Sequence, residues 1–144
     1  ALPPVIGWAA ARGSIDLGAW SLFAIQFVWQ LPHFYAIAWM YRDDYARGGF
    51  PLLSVVDPDG ALTGRQIAGW TAVLVPASLL PAFLGHAGPL YTVAALGLGA
   101  AFLILGFGVA ARHSVVRARR VFLGSVLYLP ALFGFLVLDN FLTF

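Results

Sequence analysis

The chain has 144 residues, of which 61% are apolar and only 10% charged, with a net charge of +2 and a mean hydropathy of +0.87. A soluble domain carries about 25% charged residues, so these few charges would not cover a water-facing surface, and lipid is the expected solvent. The charged set is Arg and Asp alone, too sparse for a nucleic-acid-binding patch, and the absence of Cys excludes disulfides, thiolate metal sites and a thiol nucleophile.

A spanning helix needs about 20 mostly apolar residues, because a hydrocarbon core about 30 Å thick is crossed at about 1.5 Å per residue. Residues 5–11 read as the last turns of a preceding helix, and 18–41, 66–84, 89–111 and 121–138 read as full spans. Backbone groups in lipid must find internal partners, and no alternating strand pattern offers a barrel. The predicted fold is all-α: a polytopic transmembrane helix bundle of about four full spans plus the end of a preceding helix, forming a single transmembrane domain over 1–144. Beginning at Ala1, with Pro3 and Pro4 in what reads as mid-protein sequence, the chain is expected to be a fragment of a longer protein.

The first span carries a polar stripe. Gln26, Gln30 and His33 stand at i, i+4 and i+7, hence on one helix face, which continues at helical spacing towards Asp44. Such a stripe costs free energy in lipid and faces a cavity or another helix. Two readings compete: a lined cavity, or interhelical hydrogen bonding with His33 a satisfied buried histidine. At the exit of the span, Asp43 and Asp44 lie between Arg42 and Arg47. Adjacent carboxylates flanked by guanidiniums suit a magnesium-bound diphosphate, since magnesium prefers carboxylate and phosphate oxygens and Arg grips phosphate through paired donors. The competing reading is a solvated charge cluster at a helix end.

Further along, 42–65 is the long connection, and Asp57-Pro58-Asp59-Gly60 within it reads as a turn. Pro32, Pro76, Pro81 and Pro130 fall inside spans. Gly97, Gly99, Gly106 and Gly108 give the third span a small-residue face for close packing. Trp20, Trp39, Tyr41, Trp70 and Tyr91 fall near span ends as interfacial anchors, and Asp139-Asn140 reads as a polar helix end at the outer interface. Alternate connections hold seven Arg against one, so 42–65 and 112–120, where Arg112, His113, Arg117, Arg119 and Arg120 cluster, are expected on the cytoplasmic side with the carboxyl terminus outside.

Three segments in order resemble one family. Pro3-Pro4-Val5-Ile6-Gly7-Trp8, Trp29-Gln30-Leu31-Pro32-His33-Phe34 and Asp43-Asp44-Tyr45-Ala46-Arg47-Gly48-Gly49-Phe50-Pro51 are similar to motifs of the protohaem IX farnesyltransferases (haem O synthases), of the UbiA-type prenyltransferase superfamily. Gly48 stands where that family has Ala, and Leu52-Leu53-Ser54-Val55 where it has Met-Leu-Pro-Val. The resemblance implies transfer of a farnesyl group from farnesyl diphosphate to a vinyl group of haem B in the bacterial inner membrane. It implies Mg2+ on Asp44 and Asp43, diphosphate contacts from Arg42 and Arg47, and a cavity lined by Gln26, Gln30 and His33, with His33 a haem contact or proton handler. It also implies a missing amino-terminal half bearing a first aspartate motif. The alternatives are a UbiA-type enzyme with a quinone or chlorophyll-type acceptor, and a non-catalytic membrane module.

Overall fold

The computed structural model describes residues 2–49, 57, 59–112 and 114–143; Phe50 to Val56, Pro58 and His113, with the sequence features read there, lie outside the described residues. Among these residues the chain is helical and without strands. The helices are α1 Pro3–Arg12, α2 Leu17–Met40, α3 Arg42–Arg47, α4 Ala61–Phe83, α5 Pro89–Ala111 and α6 Val115–Thr143. The all-α membrane architecture expected from composition is the one observed.

Three helices, α4 to α6, are long and apolar enough to cross a membrane. The fourth expected span, α2, has the length, its 24 residues covering about 36 Å at the helical rise. Gln26, Gln30 and His33 dilute its hydropathy. α2 packs against α4 and α6, and α5 closes the ring by packing against the same two helices, while α1 leans on α2. Buried Ile25, Ile67, Leu74, Val109, Val121 and Leu132 fill the centre of the ring.

Side-chain caps set the helix boundaries, and several lie away from the positions expected from hydropathy. Asp16 Oδ1 accepts from the amides of Gly18 and Ala19 at 3.0 and 3.3 Å, satisfying two of the orphan donors at the start of α2. Asp57 accepts from Thr63 N at 2.8 Å and Thr63 Oγ1 at 3.1 Å, and Asp59 from Ala61 N at 3.0 Å. Those carboxylates start α4 at Ala61 rather than at residue 66, so Arg65 lies on a helix. Ser114 Oγ accepts from Arg117 N at 3.2 Å, and α6 begins at Val115 rather than at residue 121. Arg117, Arg119 and Arg120 therefore ride on the first turns of α6, and Arg117 reaches back to donate to the Gly108 carbonyl at 3.0 Å.

Three further expectations are corrected by packing. Tyr91 is fully buried and donates its hydroxyl to the Ser78 carbonyl at 2.6 Å, so it is a core residue and not an interfacial anchor; Trp39 is buried as well. Of the glycine face, Gly106 and Gly99 meet α4: a Cβ at Gly106 would collide with the Thr71 side chain, and one at Gly99 would stand 3.1 Å from Val75 Cγ2, whereas Gly97 has nothing within 4 Å. Asp139 is not a wet helix end. It is 2% exposed and accepts from the amides of Gly88 and Tyr91, so the end of α6 caps the start of α5.

Candidate functional site

The residues singled out along α2 stand at three levels of one helix. Highest, beyond the helix end, α3 carries the aspartates. Asp43 and Asp44 occupy its first turn and are exposed. Asp44 Oδ1 lies 3.7 Å from Arg47 Nη1, with the two side chains 67% and 78% exposed, a contact of little energetic weight in water. The Arg42 guanidinium sits over the Trp39 ring at 4.2 Å from its centroid, a cation–π contact at the negative end of α2.

Eight residues before Tyr41, about 12 Å deeper along the axis, His33 turns towards α6. Its Nδ1 is 2.6 Å from Ser125 Oγ, and Ser125 Oγ donates to the Phe122 carbonyl at 2.6 Å. Trp29, one turn earlier on α2, donates its indole N–H to the Ser125 carbonyl at 2.9 Å. The imidazole stacks on Trp29 and on Phe122, with centroids 4.7 and 5.3 Å apart. His33 is thus held in a polar seam between α2 and α6. Gln30 is half-buried and makes no side-chain hydrogen bond among the described residues.

About 10 Å deeper again, Gln26 faces a hollow of about 910 Å³ between α1, α2 and α6. Trp8 on α1, Leu22 on α2, and Phe133 and Asn140 on α6 line it. The Trp8 ring covers Gly18 so closely that a Cβ there would collide with it, and its indole N–H is buried without a partner among the described residues. The stripe therefore does not line one cavity: Gln26 alone of its three members reaches the hollow, and the aspartate pair stands roughly 22 Å away along the axis of α2. Ser125, the seam's central residue, was not singled out from sequence, although it is the lone serine in an apolar run.

The donor set at α3 suits a magnesium ion only in part. Among the described residues no group of three potential metal-ligating side chains exists. Magnesium typically takes one or two protein carboxylates and completes its octahedron with water and phosphate oxygens. Asp43 and Asp44, adjacent, exposed and scarcely engaged by their own protein, can supply that share.

The sequence matches the UbiA prenyltransferase family over residues 1–140. The chain belongs to that family. It is 55% identical over 140 residues to a protoheme IX farnesyltransferase of Solibacter usitatus, covering 97% of this chain and 48% of that protein. Against the protoheme IX farnesyltransferase of Koribacter versatilis the identity is 45% over 147 residues, covering 97% and 47%. Against that of Salinibacter ruber it is 44% over 142 residues, covering 99% and 50%. The chain spans about half the length of the curated relatives it matches. No solved structure matches. Family membership and the three long apolar helices together make this UbiA-family chain an integral membrane protein.

Proposed function

We propose that this chain forms the carboxyl-terminal part of an intramembrane prenyltransferase that moves a farnesyl group from farnesyl diphosphate to a vinyl group of haem B, giving haem O. The observation that carries this reading is the 55% identity to a protoheme IX farnesyltransferase along nearly the whole chain, in company with an exposed aspartate pair at one end of the helix ring. The quinone or chlorophyll-type acceptor loses ground, because eight relatives at 40–55% identity carry the protoheme name.

In the reaction the C1–oxygen bond of farnesyl diphosphate breaks and C1 bonds to the terminal vinyl carbon. Water then adds at the neighbouring carbon and one proton leaves. Asp44 and Asp43 would hold Mg2+, which when bound neutralises the leaving diphosphate. Arg42 and Arg47 are its phosphate contacts, in the paired-donor manner of guanidinium. An amino-terminal segment with a first aspartate motif completes the metal site. The cytoplasmic face of the bacterial inner membrane is the side of the 42–65 connection and of 112–120, in keeping with their Arg content. His33 serves as haem contact or proton handler, and Gln26 and Gln30 continue the polar track inward.

The test is Asp44→Asn in the complete protein, in membranes supplied with haem B and farnesyl diphosphate, with haem O extracted and quantified. Loss of product at unchanged membrane insertion supports the reading. Undiminished product returns the chain to the non-catalytic membrane module.

A further inference from the structure

The Ser125 hydroxyl has one proton and two close neighbours. Its oxygen lies 2.6 Å from the Phe122 carbonyl and 2.6 Å from His33 Nδ1. A carbonyl oxygen only accepts, so the hydroxyl proton goes to Phe122, and the serine oxygen has only lone pairs to offer the imidazole. Nδ1 is then the donor. A neutral imidazole carries a single ring proton, and placing it on Nδ1 leaves Nε2 with a lone pair. Nothing among the described residues engages Nε2. Trp29 and Phe122 stack on the ring, while the Trp29 indole N–H grips the Ser125 carbonyl, so ring and serine are held together as one unit.

We propose that Ser125 is a positioning residue that fixes His33 in the Nδ1–H tautomer and so presents Nε2 as a proton acceptor. The use of that acceptor rests on the prenyl-transfer reading above. Water adding to the farnesylated side chain forms a carbon–oxygen bond and releases one proton, and the Nε2 lone pair takes it. The hydroxyl of Ser125 is engaged by the Phe122 carbonyl and the His33 ring; it acts through the histidine, as the partner of one ring nitrogen sets the role of the other.

The decisive measurement is 15N NMR of the complete protein labelled at histidine, with His33 assigned by comparison with His33→Asn. A protonated-type Nδ1 resonance and an unprotonated-type Nε2 resonance are expected. Ser125→Ala should lose that preference, and Ser125→Thr should keep it, because a helical threonine hydroxyl can also bond the carbonyl one turn back. In turnover, Ser125→Ala should lower kcat about ten-fold at unchanged KM for farnesyl diphosphate, with Ser125→Thr restoring most of it. A wild-type Nε2–H tautomer, or one unaltered in Ser125→Ala, overturns the positioning role. Normal turnover in His33→Asn, with the tautomer as expected, instead overturns the catalytic use of Nε2 while the tautomer assignment stands.

Discussion

Aspartates stand at both ends of the helix ring, and they are held in opposite ways. Asp43 and Asp44, on the short α3, are exposed, and Asp44 has only a loose contact with Arg47. Asp139, at the far end of α6, is 2% exposed and takes backbone amides of Gly88 and Tyr91. A carboxylate occupied by its own protein's amides has spent its lone pairs on a helix start, where four donors lack intrahelical partners and the helix dipole favours negative charge. One facing water keeps its lone pairs for a cation. The difference is in keeping with the proposed ligand role of the first pair and makes the second a helix cap, and each of the following experiments tries to break that division.

The largest effect belongs to the metal. Chelation of divalent ions should abolish haem O formation and readdition of Mg2+ should restore it, while circular dichroism of the helices stays unchanged. Asp44→Asn should lower turnover by about 100-fold, the scale on which charge stabilisation of a leaving group acts, with no change in thermal stability because the side chain makes no buried contact. A fall in stability matching the fall in activity would place Asp44 with Asp139 as a structural group and collapse the comparison.

His33 lies between the two ends in position and in character, being both packed and chemically capable. His33→Ala should lower kcat about ten- to hundred-fold and cost less in expression than in turnover. It removes the stacking on Trp29 and Phe122 and the imidazole contact of Ser125, so some loss of stability will accompany it. Near-normal turnover would make the seam wholly structural, the competing reading that the hydrogen bond to Ser125 by itself would satisfy.

The contrast also marks how far the sequence could be read. The spans are legible because lipid tolerates little besides apolar helices, whereas adjacency alone makes the aspartate pair a weak signal, which gains weight only from the family-like segment that holds it. What escaped lies across helices. Ser125 meets His33 from 92 residues away, and Asp139 meets Gly88 from 51 residues away. Periodicity along one helix names the face that a residue occupies and leaves open the partner facing it, so for the stripe Gln26, Gln30 and His33 both readings stay open from sequence, and in the structure Gln26 lines the hollow while His33 meets Ser125. Tyr91 was misplaced for the same reason: its position near a helix end suggested a membrane anchor, and its contact with Ser78 on α4 puts it in the core.

Arg47 offers a smaller effect at the open end. Its guanidinium is 78% exposed and contacts only Asp44 in the described residues, so Arg47→Ala should leave folding intact. Loss of one charge-assisted contact to diphosphate should raise KM for farnesyl diphosphate by about five-fold, less than the full strength of such a bond because water competes at the site. Steady-state kinetics at varied farnesyl diphosphate and saturating haem B would show it. An unchanged KM would remove Arg47 from the diphosphate contacts.

At the closed end the smallest effect on chemistry is expected, and it should appear in stability instead. Asp139→Ala removes the acceptor from the Gly88 and Tyr91 amides at the start of α5, which should cost about 1–2 kcal/mol, the range of a lost helix cap. Asp139→Asn keeps an amide oxygen to accept those bonds and loses only the charge near the helix dipole, so its cost should be smaller, about 0.3–1 kcal/mol. Thermal unfolding in detergent would rank wild type above Asn and Asn above Ala, with turnover per folded molecule equal in all. Were Asp139→Asn to lose turnover while retaining its unfolding temperature, the buried carboxylate would be doing chemistry, and burial would no longer separate the aspartates that bind from those that build.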